Sequence, residues 1–118
     1  MSQTPVRTIS QMTREECRQY FQQMIAENNY WLYRAILAIY DRQTESEKKY
    51  EDVTHRNGQG FTPADARILC SFAKQILKRN NNQRETLYDN SLSEKQQDWA
   101  RRLMPKYARQ LVRIAKAA

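Results

Sequence analysis

Glycine and proline are scarce in this chain, at two and three of 118 residues. Tight turns draw on both, because glycine tolerates positive φ and proline pre-sets one turn position. So few of them make poor material for a many-turned β fold. Cysteine is equally sparse. Cys17 and Cys70 stand far apart without metal-type spacing, and each reads as a small hydrophobe, reduced in a cytoplasmic setting. His55 is the one histidine and sits in a polar segment, so the chain lacks a zinc ligand set and no cofactor is expected. The opening "MSQTPVRTISQM" has no apolar core of a signal peptide, and no run approaches the ~20 apolar residues of a membrane span. A phosphate loop is missing as well: "NGQGF" holds Gly58 and Gly60 without the remaining glycine or lysine of a nucleotide-binding pattern. No Ser/His/Asp order emerges around a lone histidine. The expectation is a binding protein and not an enzyme.

What the chain does hold is helical periodicity and positive charge. Apolar residues are 40% of the total, charged residues 28%, and the formal net charge is +7. Such an excess favours nucleic acid, an anionic surface or an acidic partner, and says nothing of the fold. Residues 1–12 carry no period and read as a flexible arm. Thr13 opens a helix with Glu16 as its capping-box partner, and Cys17, Phe21, Met24 and Ile25 form the stripe. Asn28 and Asn29 then cap a new helix, or else one uninterrupted helix runs from Thr13 into the Arg42 region. "YWLYRAILAIY" is apolar all round except for Arg34, which belongs at the hub of a bundle or at an interface. With more apolar surface than one face requires, Tyr30, Trp31, Ile39 and Tyr40 are candidates for a partner or dimer interface.

A polar connector comes next, ending in an Asn57-Gly58 turn. Thr62, Pro63 and Asp65 then signal a helix start, with Thr62 as cap and Asp65 completing the box. Ala66, Leu69, Phe72, Ala73 and Ile76 line one face of that helix, and Arg67, Lys74 and Lys78 the other. "NNNQRETLYDNS" reads as a second, mobile connector. The last helix starts at Ser93, with Gln96 as reciprocal partner, and Pro105 predicts a kink or break near Met104. The fold class expected is all-α: a compact bundle of three to five helices in one domain over 13–118, with 13–43 holding the hub and 57–118 the remaining helices.

The sharpest feature lies in the last helix. Arg102, Lys106, Arg109, Arg113 and Lys116 follow i, i+4, i+7, i+11, i+14, and their centre lies roughly 140° from that of Ala100, Leu103, Tyr107, Leu111 and Ile114 on an ideal wheel. Cations near a helix C-terminus complement its dipole, and exposed helix faces are usually charged. A plain solvated face would interleave acids, yet none follows Asp98, and arginine outnumbers lysine from Ser93 onward. That bias suits phosphate or carboxylate recognition. Trp99 and Tyr88 flank this helix as candidate stacking residues.

Two segments carry a resemblance. "NGQGFTPADARILCSFAKQIL" and "LSEKQQDWARRLMPKYARQL" supply Asn57, Gly58, Gly60 and Phe61; Asp65 and Ala66; Ser71, Ala73 and Gln75; Leu92, Ser93, Lys95 and Gln96; and Lys106, Tyr107, Gln110 and Leu111. This half of the chain resembles a small helical module of phage- and plasmid-borne proteins that also recurs as an appended segment in some DNA helicases. The resemblance implies a fold signature, with Phe61 under a helix start and Tyr107 and Leu111 in the core, and no catalytic residue.

The functional expectation is a phage- or mobile-element-type accessory protein. It would bind DNA or RNA through Arg101, Arg102, Lys106, Arg109 and Arg113, helped by Lys74, Lys78 and Arg84. The alternative is a protein-binding inhibitor or modulator of a host nucleic-acid-processing complex, such as an anti-CRISPR or other anti-defence factor. A homodimer through the apolar hub is the further expectation, and no membrane is involved.

Overall fold

The computed structural model describes residues 9–43 and 60–117, and in them the chain is all-α. A 3-10 turn at Ile9–Gln11 leads into α1 (Arg14–Glu27), α2 (Asn29–Tyr40), α3 (Ala66–Arg79) and α4 (Glu94–Leu103). A second 3-10 turn, Met104–Tyr107, joins α4 to α5 (Ala108–Ala117). The Asn57-Gly58 turn and His55 lie outside the described residues.

Local chemistry sets most of these boundaries. Thr13 Oγ1 accepts from the Glu16 amide at 3.1 Å while Glu16 accepts from the Thr13 amide at 3.0 Å, a complete capping box. Ser93 and Gln96 repeat it at 3.2 and 2.8 Å. Between α1 and α2 the chain breaks at Asn28, whose backbone is extended (φ −136°, ψ 121°) and whose side chain accepts from the Trp31 amide. Asn28 therefore caps a new helix, and the single long helix does not form.

The third expected start differs. Ala66 begins α3, and Asp65 makes no capping bond of its own. Thr62 contributes its carbonyl, which accepts from the Asp65 and Ala66 amides, and not a side-chain cap. The Asp65 carboxylate is instead drawn into the core, where Tyr107 and Lys106 donate to it.

α2 is the hub. It packs against each of the other four helices. Leu32, Tyr33, Ala35, Ile36, Leu37, Ile39 and Tyr40 are buried, and each large apolar side chain removed from water contributes about 1.5–3 kcal/mol. Ile39 and Tyr40 are 0% and 8% exposed, so the interface assigned to them is not available on this surface. Tyr30 remains 39% exposed and Trp31 is half-buried. The expected arm is also shorter at its inner end, since Ile9 and Met12 pack on the core and Cys17 Sγ faces the Ile9 carbonyl at 3.7 Å.

The asparagine-rich connector is pinned, not mobile. Asn81 and Asn82 take left-handed φ of 54° and 64°, and the Asn82 amide closes back onto the Leu77 carbonyl at 2.8 Å, finishing α3. Asn80, 2% exposed, donates to the Ile76 carbonyl and Ser91 Oγ and accepts from the Tyr88 amide. Tyr33 reaches up from α2: its hydroxyl donates to the Asp89 carbonyl at 2.6 Å and accepts from the Leu92 amide at 3.2 Å. No helix among the described residues is long and apolar enough to cross a membrane.

Candidate polyanion interface

The basic stripe of the last helix does not run straight. Pro105 cannot donate to the Arg101 carbonyl, and the chain tightens into 3-10 geometry over Met104–Tyr107. Four residues at three per turn advance the side chains roughly 80° beyond an α-helical path. The cations of α4 and those of α5 therefore face different neighbours.

Arg101 turns inward. Its Nε donates to the Ile25 carbonyl at 3.1 Å and its Nη2 to Asn29 Oδ1, locking α4 onto the α1–α2 break. This arginine is half-buried and structural, contrary to its expected place on the binding face. Lys106 is likewise engaged, pairing with Asp65 at 2.8 Å. Arg84 pairs with Asp41, and its carbonyl accepts from Arg34 at 2.8 Å. Lys116 donates to the carbonyls of Ile9 and Met12 at 3.1 and 2.7 Å. Arg102 stays exposed on α4, while Lys74 and Lys78 belong to α3 and add nothing to this stripe.

Arg109 and Arg113 are the pair that the fold brings against α1. Lys116 meets Met12 at one end of α5, and Gln22 Nε2 meets the Pro105 carbonyl at the other, so α1 and α5 run antiparallel. On α1, Arg14 and Arg18 flank the buried stripe of Cys17 and Phe21; on α5, Arg109 and Arg113 flank Leu111 and Val112. Packing stripe on stripe brings two i, i+4 arginine pairs to one seam. The result is a groove of about 440 Å3 lined by Arg14, Glu15, Arg18, Arg109, Val112 and Arg113. Four guanidinium groups share it with one carboxylate.

Glu15 compensates part of that charge. Arg18 Nε donates to it at 3.0 Å, and this bond, with the charges of Arg18 and Arg109, holds the carboxyl below its ordinary pKa. Arg14 and Arg109 make no ion pair among the described residues. Each planar guanidinium fork can meet a phosphate with two parallel bonds. Arg42 extends the positive surface past Arg113, the two lining an adjoining hollow with Gln110 and Ile114. Arg14, Arg18 and Arg42 were not among the sequence candidates. The i, i+4 spacing of Arg14 and Arg18 beside an apolar stripe was the available signal, but it has meaning only once α5 is known to pack there.

A second polar cluster is structural. Thr62 donates its amide to the Tyr107 hydroxyl at 3.0 Å, and that hydroxyl donates to Asp65 at 2.7 Å. Burial pushes the Tyr107 phenol far above its ordinary range, with the nearby Asp65 charge adding to it. For Asp65, burial acts to raise the pKa, but hydrogen bonds from Lys106 and Tyr107 and the Lys106 charge outweigh it, and the carboxyl stays below its usual value. Phe61 closes the cluster, edge-on to Tyr107 at 5.7 Å. Among the described residues no group of three His, Cys, Asp or Glu could hold a metal ion. Trp99 and Tyr88 stand 49% and 64% exposed, away from the arginine groove, and Trp99 packs edge-on against Phe72. No protein-family model, curated protein or solved structure matches the chain.

Proposed function

We propose that this protein binds nucleic acid through the seam between α1 and α5, as an accessory protein of phage or mobile-element type. One observation carries the reading: two arginine pairs from separate helices converge on a groove holding a single carboxylate. The net charge of +7 supports it by drawing a polyanion toward the whole molecule. The phage or mobile-element setting is proposed from the sequence resemblance of 57–77 and 92–111 alone. Contacts of this kind go to the phosphate backbone, so binding is sequence-tolerant and sensitive to salt.

Titration of a labelled duplex and a labelled single strand at several salt concentrations tests it. With about three or four phosphates engaged, the log–log salt slope for duplex falls near −3 to −4. Replacing Arg14 and Arg109 together by Ala lowers affinity and flattens that slope by about two units. Lys78→Ala, on α3, leaves both unchanged. Absence of binding at low salt, or full affinity in the double variant, overturns the reading.

A further inference from the structure

Next to the arginine seam, α1, α2 and α5 enclose a second hollow of about 370 Å3. Phe21 and Ile25 of α1, Trp31 of α2, and Leu111 and Ile114 of α5 form its walls. Small residues leave room there: Ala35 and Ala38 on α2 and Ala115 on α5 all line it. Tyr20, 36% exposed, stands edge-on to Trp31 at 5.6 Å and lengthens the aromatic rim. A concave apolar face between packed helices is the shape into which an amphipathic helix lays its apolar side.

Three occupants compete, and charge and sequence separate them. The stretches of this chain outside the described residues read "MSQTPVRT" over 1–8 and "TESEKKYEDVTHRNGQ" over 44–59. Neither carries apolar residues at i, i+3, i+4 and i+7. A second copy would bring another net +7 against this one, with Arg34 within the hollow and Arg42 beside Ile114 at its edge. Like charges facing each other across an interface oppose association. The same two arginines favour carboxylates.

We propose that this hollow binds the apolar face of an amphipathic helix from an acidic partner protein, with acidic residues flanking that face meeting Arg34 and Arg42. The hollow shares no lining residue with the groove of the arginine seam, Arg42 bordering both surfaces, so the proposal stands whether or not nucleic acid binds at the seam. Its lining accounts for the partial exposure of Tyr30, Trp31, Arg34 and Ala38, which all border it.

The test uses the full chain carrying Trp99→Phe, which leaves Trp31 as the one tryptophan reporter. The probes are two synthetic helical peptides of about 18 residues with the same leucine stripe at i, i+3, i+4 and i+7, flanked by glutamate in one and by lysine in the other. Trp31 emission shifts with the glutamate peptide, which binds about tenfold or more tightly than the lysine peptide. Ala38→Glu, placing a charge inside the hollow, abolishes the shift while a circular-dichroism melt checks the fold. Arg42→Glu, at an exposed position, narrows the difference between the two peptides. Equal binding of both peptides, binding of neither, or sedimentation showing a self-associated species that Ala38→Glu dissolves would each overturn the proposal, the last by making a second copy the occupant.

Discussion

Asp65 shows how one carboxylate can be both buried and ionised. Its side chain is 6% exposed, and it stays charged because Tyr107 and Lys106 donate to it. Its folded pKa lies below the unfolded value of 3.8, so its contribution is fully present above about pH 4 and is lost as pH falls through the folded value. Chemical-denaturation curves between pH 7 and 2 should show this acid limb, and Asp65→Asn should flatten it. At pH 7 that substitution costs about 1.5–3 kcal/mol, the range for hydrogen bonds to a charged group. An unchanged acid limb in the variant would mean that other carboxylates carry the slope. Gly60 makes a comparable point about geometry. Its φ is +79°, and a Cβ there would fall 1.7 Å from Gln43 Oε1, the atom that accepts from the Phe61 amide. Gln110 grips the same glycine from α5, accepting from its amide and donating to its carbonyl. Backbone strain and a steric clash thus coincide, and Gly60→Ala lowers the melting midpoint even though it adds only a methyl group.

At the scale of elements, legibility follows the reach of the interaction. The boxes at Thr13–Glu16 and Ser93–Gln96 join residues three apart and the residue types alone announce them, whereas the cap at Asn28, equally local, left a single continuous helix open as an alternative. The all-α class and the apolar faces of α2 and α3 follow equally from local periodicity. The loop over 80–92 was illegible because its partners are remote: Tyr33 lies 56 residues from Asp89 and 59 from Leu92. Polar composition suggested mobility, whereas those polar groups are the bonds that hold it. Arg101 misled for the same reason, since its acceptors lie 76 and 72 residues upstream. Asn80 tests this view of the loop. Asn80→Ala strips two donations and one acceptance from a buried position and costs about 2–3 kcal/mol at roughly one per bond. Amide exchange at Tyr88, whose N–H loses its acceptor, should accelerate beyond the change in global stability. Exchange that merely tracks the global change would show that the loop and core open together.

For the molecule as a whole, the arginine seam links stability to ligand. Arg14 lines the seam beside three other arginines, so Arg14→Ala removes like-charge repulsion and should raise the melting midpoint slightly in phosphate-free, low-salt buffer. In the presence of short duplex DNA the order reverses: the native protein gains stability by mass action and the variant gains less. A midpoint that responds identically in both proteins would separate the seam from binding. The antiparallel pairing of α1 with α5 has another outcome, in the order of events during synthesis. Lys116 holds the carbonyls of Ile9 and Met12 across 107 and 104 residues, and Val112 lies at the floor of the seam against α1. While a nascent chain has not yet released residues 108–117 from the ribosome, α1 can settle on α2, but the side of its stripe that meets α5 stays wet. Long-range closure of this kind is slow relative to local helix formation. The described core is therefore complete only after residues 108–117 have emerged, so α1 waits for α5.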